Sequence, residues 1–327
     1  MRAVVITAHG GPEVLEIQER QTPQPGVGEV RVRIHASALN RADISQRLGR
    51  YPAPPGSPPD IPGLEYAGEV DTLGRGSSLW NAGDRVMGIA GGGAHAEFLC
   101  VHEREVIPAP SGLSMEECAA IPEAFLTAYD ALFDKLDLES GETVLIHAAG
   151  SGVGTAAIQL ARVAGAATIG TSRSRSKLDK CLELGLTAGF HVKDDDWAQR
   201  LLGEIRPSSI HAVLDLVGAS YLKGNLEVLG IRGRMVSVGL TAGSRAELDM
   251  GVLMRKRITL IGTVLRARPL EEKISLARKF SERVVPLFVD KKLRPVIDRS
   301  VSFADIAAAH GAMESNETFG KIVLVWS

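Results

Sequence analysis

The sequence predicts an α/β protein with a β-rich leading segment and a doubly wound parallel sheet in its middle. Three observations carry that expectation. Short β-branched runs broken by Gly and Pro fill the first hundred residues. From residue 143 to 263, strand-like runs alternate with helical patterns at the spacing of βαβ units. The first of these strands, Thr143-Val144-Leu145-Ile146-His147, enters a turn without bulk, Ala148-Ala149-Gly150-Ser151-Gly152-Val153-Gly154, and then an alanine-rich helical pattern.

In order along the chain, residues 4–6, 14–17 and 30–34 read as the first strands. Glu29-Val30-Arg31-Val32-Arg33-Ile34 alternates charged with apolar residues, as a half-buried strand does. Residues 42–48 make one or two helical turns. Residues 51–59 carry too much proline for a helix interior or a central strand, and form a surface loop. Residues 65–70 and 84–89 resume strand patterning, and Gly91-Gly92-Gly93 is a turn. Helices are expected at 115–120 and from Pro122 to about 133. Strands at 143–147, 167–171, 190–192, 213–216, 235–238 and 258–263 then alternate with helices at 153–164, 175–184, 195–203 and 220–229. The tail reads as a helix over 271–289, a strand near 296–297, a helix over 303–313 and a last strand over 321–325.

The 327 residues suffice for about two domains, and with 45% hydrophobic residues they can bury a substantial core. A formal charge of −2 leaves no global basic field to attract nucleic acid or an anionic membrane. Cys100, Cys118 and Cys181 are far apart and odd in number, which argues against a disulfide framework and for a reducing compartment. No apolar run reaches the roughly 18 residues of a membrane span. The apolar start before Gly10-Gly11-Pro12 is too short for a signal peptide core. A cytoplasmic globular protein is expected.

The turn after strand 143–147 carries chemistry. Small residues let the backbone approach a pyrophosphate, and the first amides and dipole of the following helix favour negative charge. The strict GxGxxG is absent, since Ala149, Ser151 and Gly154 hold its glycine positions, so the βαβ context carries the signal against an ordinary tight turn. A bound dinucleotide would meet Ala149, Gly150, Ser151, Gly152 and Val153. The next strand ends at Gly170-Thr171 with Ser172-Arg173-Ser174-Arg175-Ser176-Lys177 behind it. The acidic residue that would bond an NAD ribose is missing there. Ser172, Arg173 and Lys177 suit a 2′-phosphate instead, because arginine offers a bidentate fork and lysine a point charge. The expected cofactor is NADPH. A solvated, positively charged helix start is the bland alternative.

Beyond these patterns, the whole chain resembles the medium-chain dehydrogenase/reductase superfamily. The resemblance rests on Gly10-Gly11-Pro12-Glu13, on Ala36-Ser37-Ala38-Leu39-Asn40-Arg41-Ala42-Asp43, on Gly63-Leu64-Glu65-Tyr66-Ala67-Gly68, on Gly83-Asp84-Arg85-Val86 and on the phosphate loop. It implies a GroES-like β domain over 1–122 and 264–327 and a Rossmann domain over 123–263. Zinc members carry Cys where this chain has Asn40, His-Glu where it has Leu64-Glu65, and Cys where it has Glu123, and no four-cysteine lobe is present. A metal is therefore not expected. The pattern is similar to the zinc-independent, zeta-crystallin-like quinone oxidoreductases. The stretches around Asn40-Arg41-Ala42-Asp43, residues 46–51 and Ile121-Pro122-Glu123-Ala124 lie closest to the tumour-suppressor-inducible branch.

That resemblance implies hydride transfer from NADPH to a quinone, with a 2-alkenal or other enone as the alternative acceptor. A cofactor-binding sensor is the alternative of a different class. Asn40 would donate to the developing oxyanion, or else cap a turn. Tyr51 would donate from its phenol or shape the quinone slot, or else pack as a loop residue. Further cofactor contacts carried over by motif are Thr127, Val217, Gly218, Gly239, Leu240, the segment Val264-Leu265-Arg266, and Asn316. Residues 258–263 resemble a strand that pairs across a homodimer. His95, His102 and His147 are expected as core or surface histidines.

Overall fold

The computed structural model describes residues 1–194, 196–206 and 209–326. Two compact units emerge, Met1–Leu126 with Leu265–Ser327, and Thr127–Val264. The boundaries expected from the sequence are 122/123 and 263/264. Pro122 does open a helix, α3 below, but the first boundary falls inside that helix.

The first unit begins with the antiparallel pair β1 (Arg2–Ile6) and β2 (Leu15–Glu19). Then come β3 (Glu29–Ala38), α1 (Arg41–Arg47), β4 (Glu65–Leu73), β5 (Arg85–Ile89), β6 (Phe98–His102), β7 (Ile107–Pro108), α2 (Met115–Ala119) and α3 (Pro122–Tyr129). Strand β3 buries Val30, Val32 and Ile34 and turns Arg31 and Arg33 outward, where both meet Asp71 of β4 at 2.7 and 3.3 Å. Its end, Ala36-Ser37-Ala38, is buried on both faces, so the alternation stops where the polar site begins. Strands β6 and β7 escape sequence reading: they are short, and β6 pairs only with the first half of β3.

The second unit contributes β8 (Thr143–Ile146), α4 (Gly152–Val163), β9 (Ala167–Ser172), α5 (Arg175–Glu183), β10 (Ala188–His191), α6 (Trp197–Glu204), β11 (Ile210–Asp215), α7 (Leu222–Val228), β12 (Leu229–Ser237), α8 (Met250–Lys256) and β13 (Thr259–Gly262). Its parallel sheet runs β10-β9-β8-β11-β12-β13. Counted from β8 this is the order 3-2-1-4-5-6, with the switch point between β8 and β11 where open α/β sheets bind ligands. Val144, Leu145 and Ile146 are fully buried, as a central parallel strand requires. The expected start of α6 at residue 195 lies outside the described residues. Helix α8 is not foreseen, because Met250 and Met254 face outward (55% and 72% exposed) and blur its periodicity.

The chain returns to the first unit with α9 (Leu270–Arg283), α10 (Val285–Val289), β14 (Ile297–Ser302), α11 (Ile306–Glu314) and β15 (Lys321–Val325). The single helix expected over 271–289 breaks at Val284, since Pro286 has no N–H to continue the ladder. The main sheet runs β14-β15-β3-β4-β5-β7. Pairing β15 with the end of β3 brings the last strand of the chain beside Asn40. Among the described residues no helix is long and apolar enough to cross a membrane.

Candidate active site

In the second unit the loop after β8 has the form its sequence demands. Ala148 takes a left-handed φ of 49°, Ala149 donates its N–H to Thr171 O at 3.0 Å, and Ser151 caps α4 by accepting from Gly154 N at 3.0 Å. The amides of Gly152 and Val153 open a twelve-residue helix and belong to the first turn, which has no intrahelical acceptors. A Cβ on Gly154 would lie 2.6 Å from the carbonyl oxygens of Ala148 and Ala149. Gly154→Val is therefore expected to destabilise the unit by about 1–3 kcal/mol through overpacking. An unchanged urea midpoint would show that the backbone yields there.

Asp215, fully buried at the end of β11, accepts from Val217 N and Gly218 N at 2.8 and 3.1 Å, and burial raises its pKa. Ala242 N donates to Val217 O at 2.8 Å, and a Cβ on Gly239 would sit 2.8 Å from Leu216 O, so the loops after β11 and β12 are packed together. Leu240 is exposed. Beyond β9, Arg173 is exposed, Lys177 half-buried, and Ser172 Oγ accepts from Ser174 N at 3.0 Å. Thr127, buried in α3, and exposed Val264 close the second unit at its two ends. Leu265, Arg266 and Asn316 belong to the first.

The first unit holds a polar cluster around Asn40. Its backbone N–H donates to Asp43 Oδ2 at 2.7 Å, which fixes the start of α1. Its carboxamide donates to Glu65 Oε1 (2.9 Å) and Ala38 O (3.2 Å), and its Oδ1 accepts from Lys321 Nζ (2.6 Å). Lys321 also reaches Glu65 Oε1 at 2.6 Å and Leu39 O at 2.7 Å. Flipping the amide would set its NH2 against the ammonium, so these neighbours dictate its orientation. Both amide hydrogens are committed inside the protein. The donor role expected of Asn40 does not fit this geometry, because a carboxamide has only two such hydrogens.

Arg266 is buried and donates to Gly91 O (2.7 Å), Tyr51 O (3.1 Å) and Gln46 Oε1 (2.6 Å), with its guanidinium 4.9 Å from the Tyr51 ring centre. Burial raises the Tyr51 phenol above its usual value. Glu123, second residue of α3, donates its N–H to Glu65 Oε2 at 2.8 Å, and burial beside Glu65 pushes its carboxyl up to about 8. Asn316, at a φ of 60°, accepts from Arg41. Sequence reading misses Lys321, which looks like the first residue of an apolar strand.

A zinc ion does not fit the cluster. An ammonium already neutralises Glu65, the Asn40 carboxamide is saturated, and no three His, Cys, Asp or Glu side chains among the described residues converge to hold a metal. His95 and His147 are sealed in the core, while His102 is partly exposed. His95 meets Ser37 at 3.0 Å and Asp43 at 3.7 Å, a Ser–His–Asp set with all three members fully buried and so closed to substrate. His147 lies between Thr171 (2.8 Å) and Asn225 (2.6 Å).

Residues 26–111 match the alcohol dehydrogenase GroES-like domain, and residues 152–282 match the zinc-binding dehydrogenase family. A quinone oxidoreductase of Pseudomonas aeruginosa is 32% identical across 99% of both chains. An Escherichia coli quinone oxidoreductase solved in complex with NADPH superposes with a TM-score of 0.89 at 29% identity, covering 100% of both chains. An NAD-dependent alcohol dehydrogenase superposes with a TM-score of 0.87 at 33% identity, again over 100% of both. Two neighbours so alike in fold differ in nicotinamide, so local residues rather than the fold decide that choice.

Proposed function

This chain belongs to the medium-chain dehydrogenase/reductase superfamily, and from that membership we propose that it is an NADPH-dependent quinone reductase working without a metal. The saturated Asn40–Glu65–Lys321 cluster carries this reading. With Lys321 on Glu65, no Lewis acid polarises a simple ketone. A conjugated acceptor needs less help, because hydride addition spreads the developing charge over a π system. The quinone oxidoreductases among the relatives support the same acceptor class.

When bound, the nicotinamide supplies a hydride. The protein binds and orients. The first amides of α4, with Ala149, Gly150 and Ser151, hold the pyrophosphate, and Ser172, Arg173 and Lys177 the 2′-phosphate. Val217, Gly218, Gly239 and Leu240 line the carboxyl ends of β11 and β12, and Thr127, Val264, Leu265, Arg266 and Asn316 complete the cofactor contacts. Tyr51, fixed against Arg266, shapes the quinone slot. Strand β13, the exposed edge of its sheet, pairs a homodimer. Unpaired Cys100, Cys118 and Cys181 suit a reducing cytoplasm.

Arg173→Ala is expected to weaken NADPH binding roughly 10- to 100-fold, the worth of a charge-assisted contact, and to leave NADH nearly unmoved. Equal shifts would end the 2′-phosphate assignment. Turnover of 1,2-naphthoquinone, 2-hexenal and a simple ketone with each nicotinamide tests the acceptor. Quinone reduction with NADPH is expected. Activity confined to 2-hexenal would make the enzyme an enone reductase, and ketone reduction abolished by chelation would overturn the metal-free reading. Cofactor binding with no acceptor reduced would make the protein a sensor.

A further inference from the structure

The residues assigned to the 2′-phosphate follow β9, and the end of that strand stands at the phosphate loop, where Thr171 O accepts from Ala149 N at 3.0 Å. Arg173 comes two residues later, at the place where open dinucleotide-binding sheets recognise the ribose 2′ position. Its side chain is exposed, so its direction depends on the backbone that carries it more than on packing. An arginine on free backbone has to be ordered as it meets an anion, and that ordering costs affinity.

Here the backbone is held on both sides of the Arg173 Cα. The peptide unit before it is fixed by the Ser172 carbonyl, which accepts from Val192 N at 2.9 Å. The unit after it is fixed at both ends: His191 Nε2 donates to the Arg173 carbonyl at 3.0 Å, and Ser174 N donates to Ser172 Oγ at 3.0 Å. Each peptide unit is planar, so pinning these two settles the direction of the Arg173 Cα–Cβ bond. The bonds from Val192 and His191 come from the end of β10, the edge strand of the sheet, where His191 lies opposite Ser172. A carbonyl only accepts, so the neutral His191 ring carries its proton on Nε2. Its Nδ1 has no partner among the described residues, which leaves the bond to Arg173 as the ring's polar contact there.

We propose that His191 is a positioning residue for cofactor choice: it holds the Arg173 carbonyl so that the guanidinium stands ready for a 2′-phosphate. This rests on the NADPH reading of Arg173. The ring acts through Arg173 and needs no contact of its own with the cofactor. NADH lacks the phosphate and gains nothing from the arrangement. Position in the chain hides the link, since 18 residues separate the two and they meet only because β10 lies beside β9.

Dissociation constants of NADPH and NADH, measured on the intact protein, test this. His191→Phe keeps a ring and removes the donor. It should weaken NADPH about 5-fold, the worth of one hydrogen bond, and leave NADH unmoved. His191→Gln, whose carboxamide can donate to the same carbonyl, should lose less. On an Arg173→Ala background His191→Phe should cost nothing further, because residues that act as one unit are not additive. In wild type, long-range proton–nitrogen NMR should find the neutral His191 ring protonated on Nε2, a result that does not depend on any variant folding. A ring protonated on Nδ1 overturns the inference. So does a phenylalanine variant that binds NADPH like wild type, weakens both nicotinamides alike, is not improved upon by glutamine, or keeps its full loss without Arg173. Each of these leaves the 2′-phosphate assignment standing. Arg173→Ala that weakens both nicotinamides equally, or neither, defeats the assignment and the inference together.

Discussion

Lys321→Met should destabilise the protein by about 3–5 kcal/mol, the range found when one partner of a buried ion pair is removed. Glu65 is completely buried and Lys321 only 5% exposed, with 2.6 Å between Nζ and Oε1. Methionine matches the lysine stem in volume, so the loss isolates the charge and the bonds to Leu39 O and Asn40 Oδ1. Adding Glu65→Gln should restore much of the loss, since no unpaired charge then remains in the core. Urea unfolding of the two variants measures both quantities. A single variant within about 1 kcal/mol of wild type would show that water reaches Glu65 and that the cluster is not sealed.

Acid should destabilise the fold as its buried histidines are forced to take up protons. Burial pulls His147 and His310 from the usual histidine value of 6.5 down to about 4. Between those values the unfolded chain binds protons that the folded chain refuses, so stability falls as pH drops through the window and the loss is complete below it. Each histidine contributes up to about 3 kcal/mol on this basis. Glu123 works in the opposite sense: its raised pKa makes stability fall as pH rises from 4.5 to about 8. Comparing wild type with His147→Gln cancels that background. The difference in unfolding free energy between the two proteins should change by about 3 kcal/mol from neutral pH to the acid end of the window. A flat difference would mean that His147 ionises in the folded state.

The polar cluster was partly legible in the sequence. Asn40, Leu64 and Glu123 in place of ligand residues were enough to argue against zinc, since that argument needs only side-chain chemistry. What Asn40 does was not legible, because its partners Glu65 and Lys321 lie 25 and 281 residues away and meet it only through sheet pairing. Similar separations hid the side-chain bonds of Arg266 to Gly91 and Gln46, 175 and 220 residues away. Helix α8 and strands β6 and β7 went unread for another reason: they are short and half-exposed, so their apolar pattern is weak.

Local order is what the sequence determined by itself. Buried parallel strands, a bulk-free turn, a capped helix and a cationic follow-up all lie within 143–177, and each is written in neighbouring residues through steric size, periodicity and capping. Charge state was decided only by the tertiary structure. Whether Lys321 is a strand residue or the counter-ion of Glu65, and whether Glu123 is an ordinary carboxylate or a held proton, depends on which groups the sheet brings within a few ångströms and how much water it removes. Coulomb and desolvation energies are set by that distance and burial, not by position in the chain.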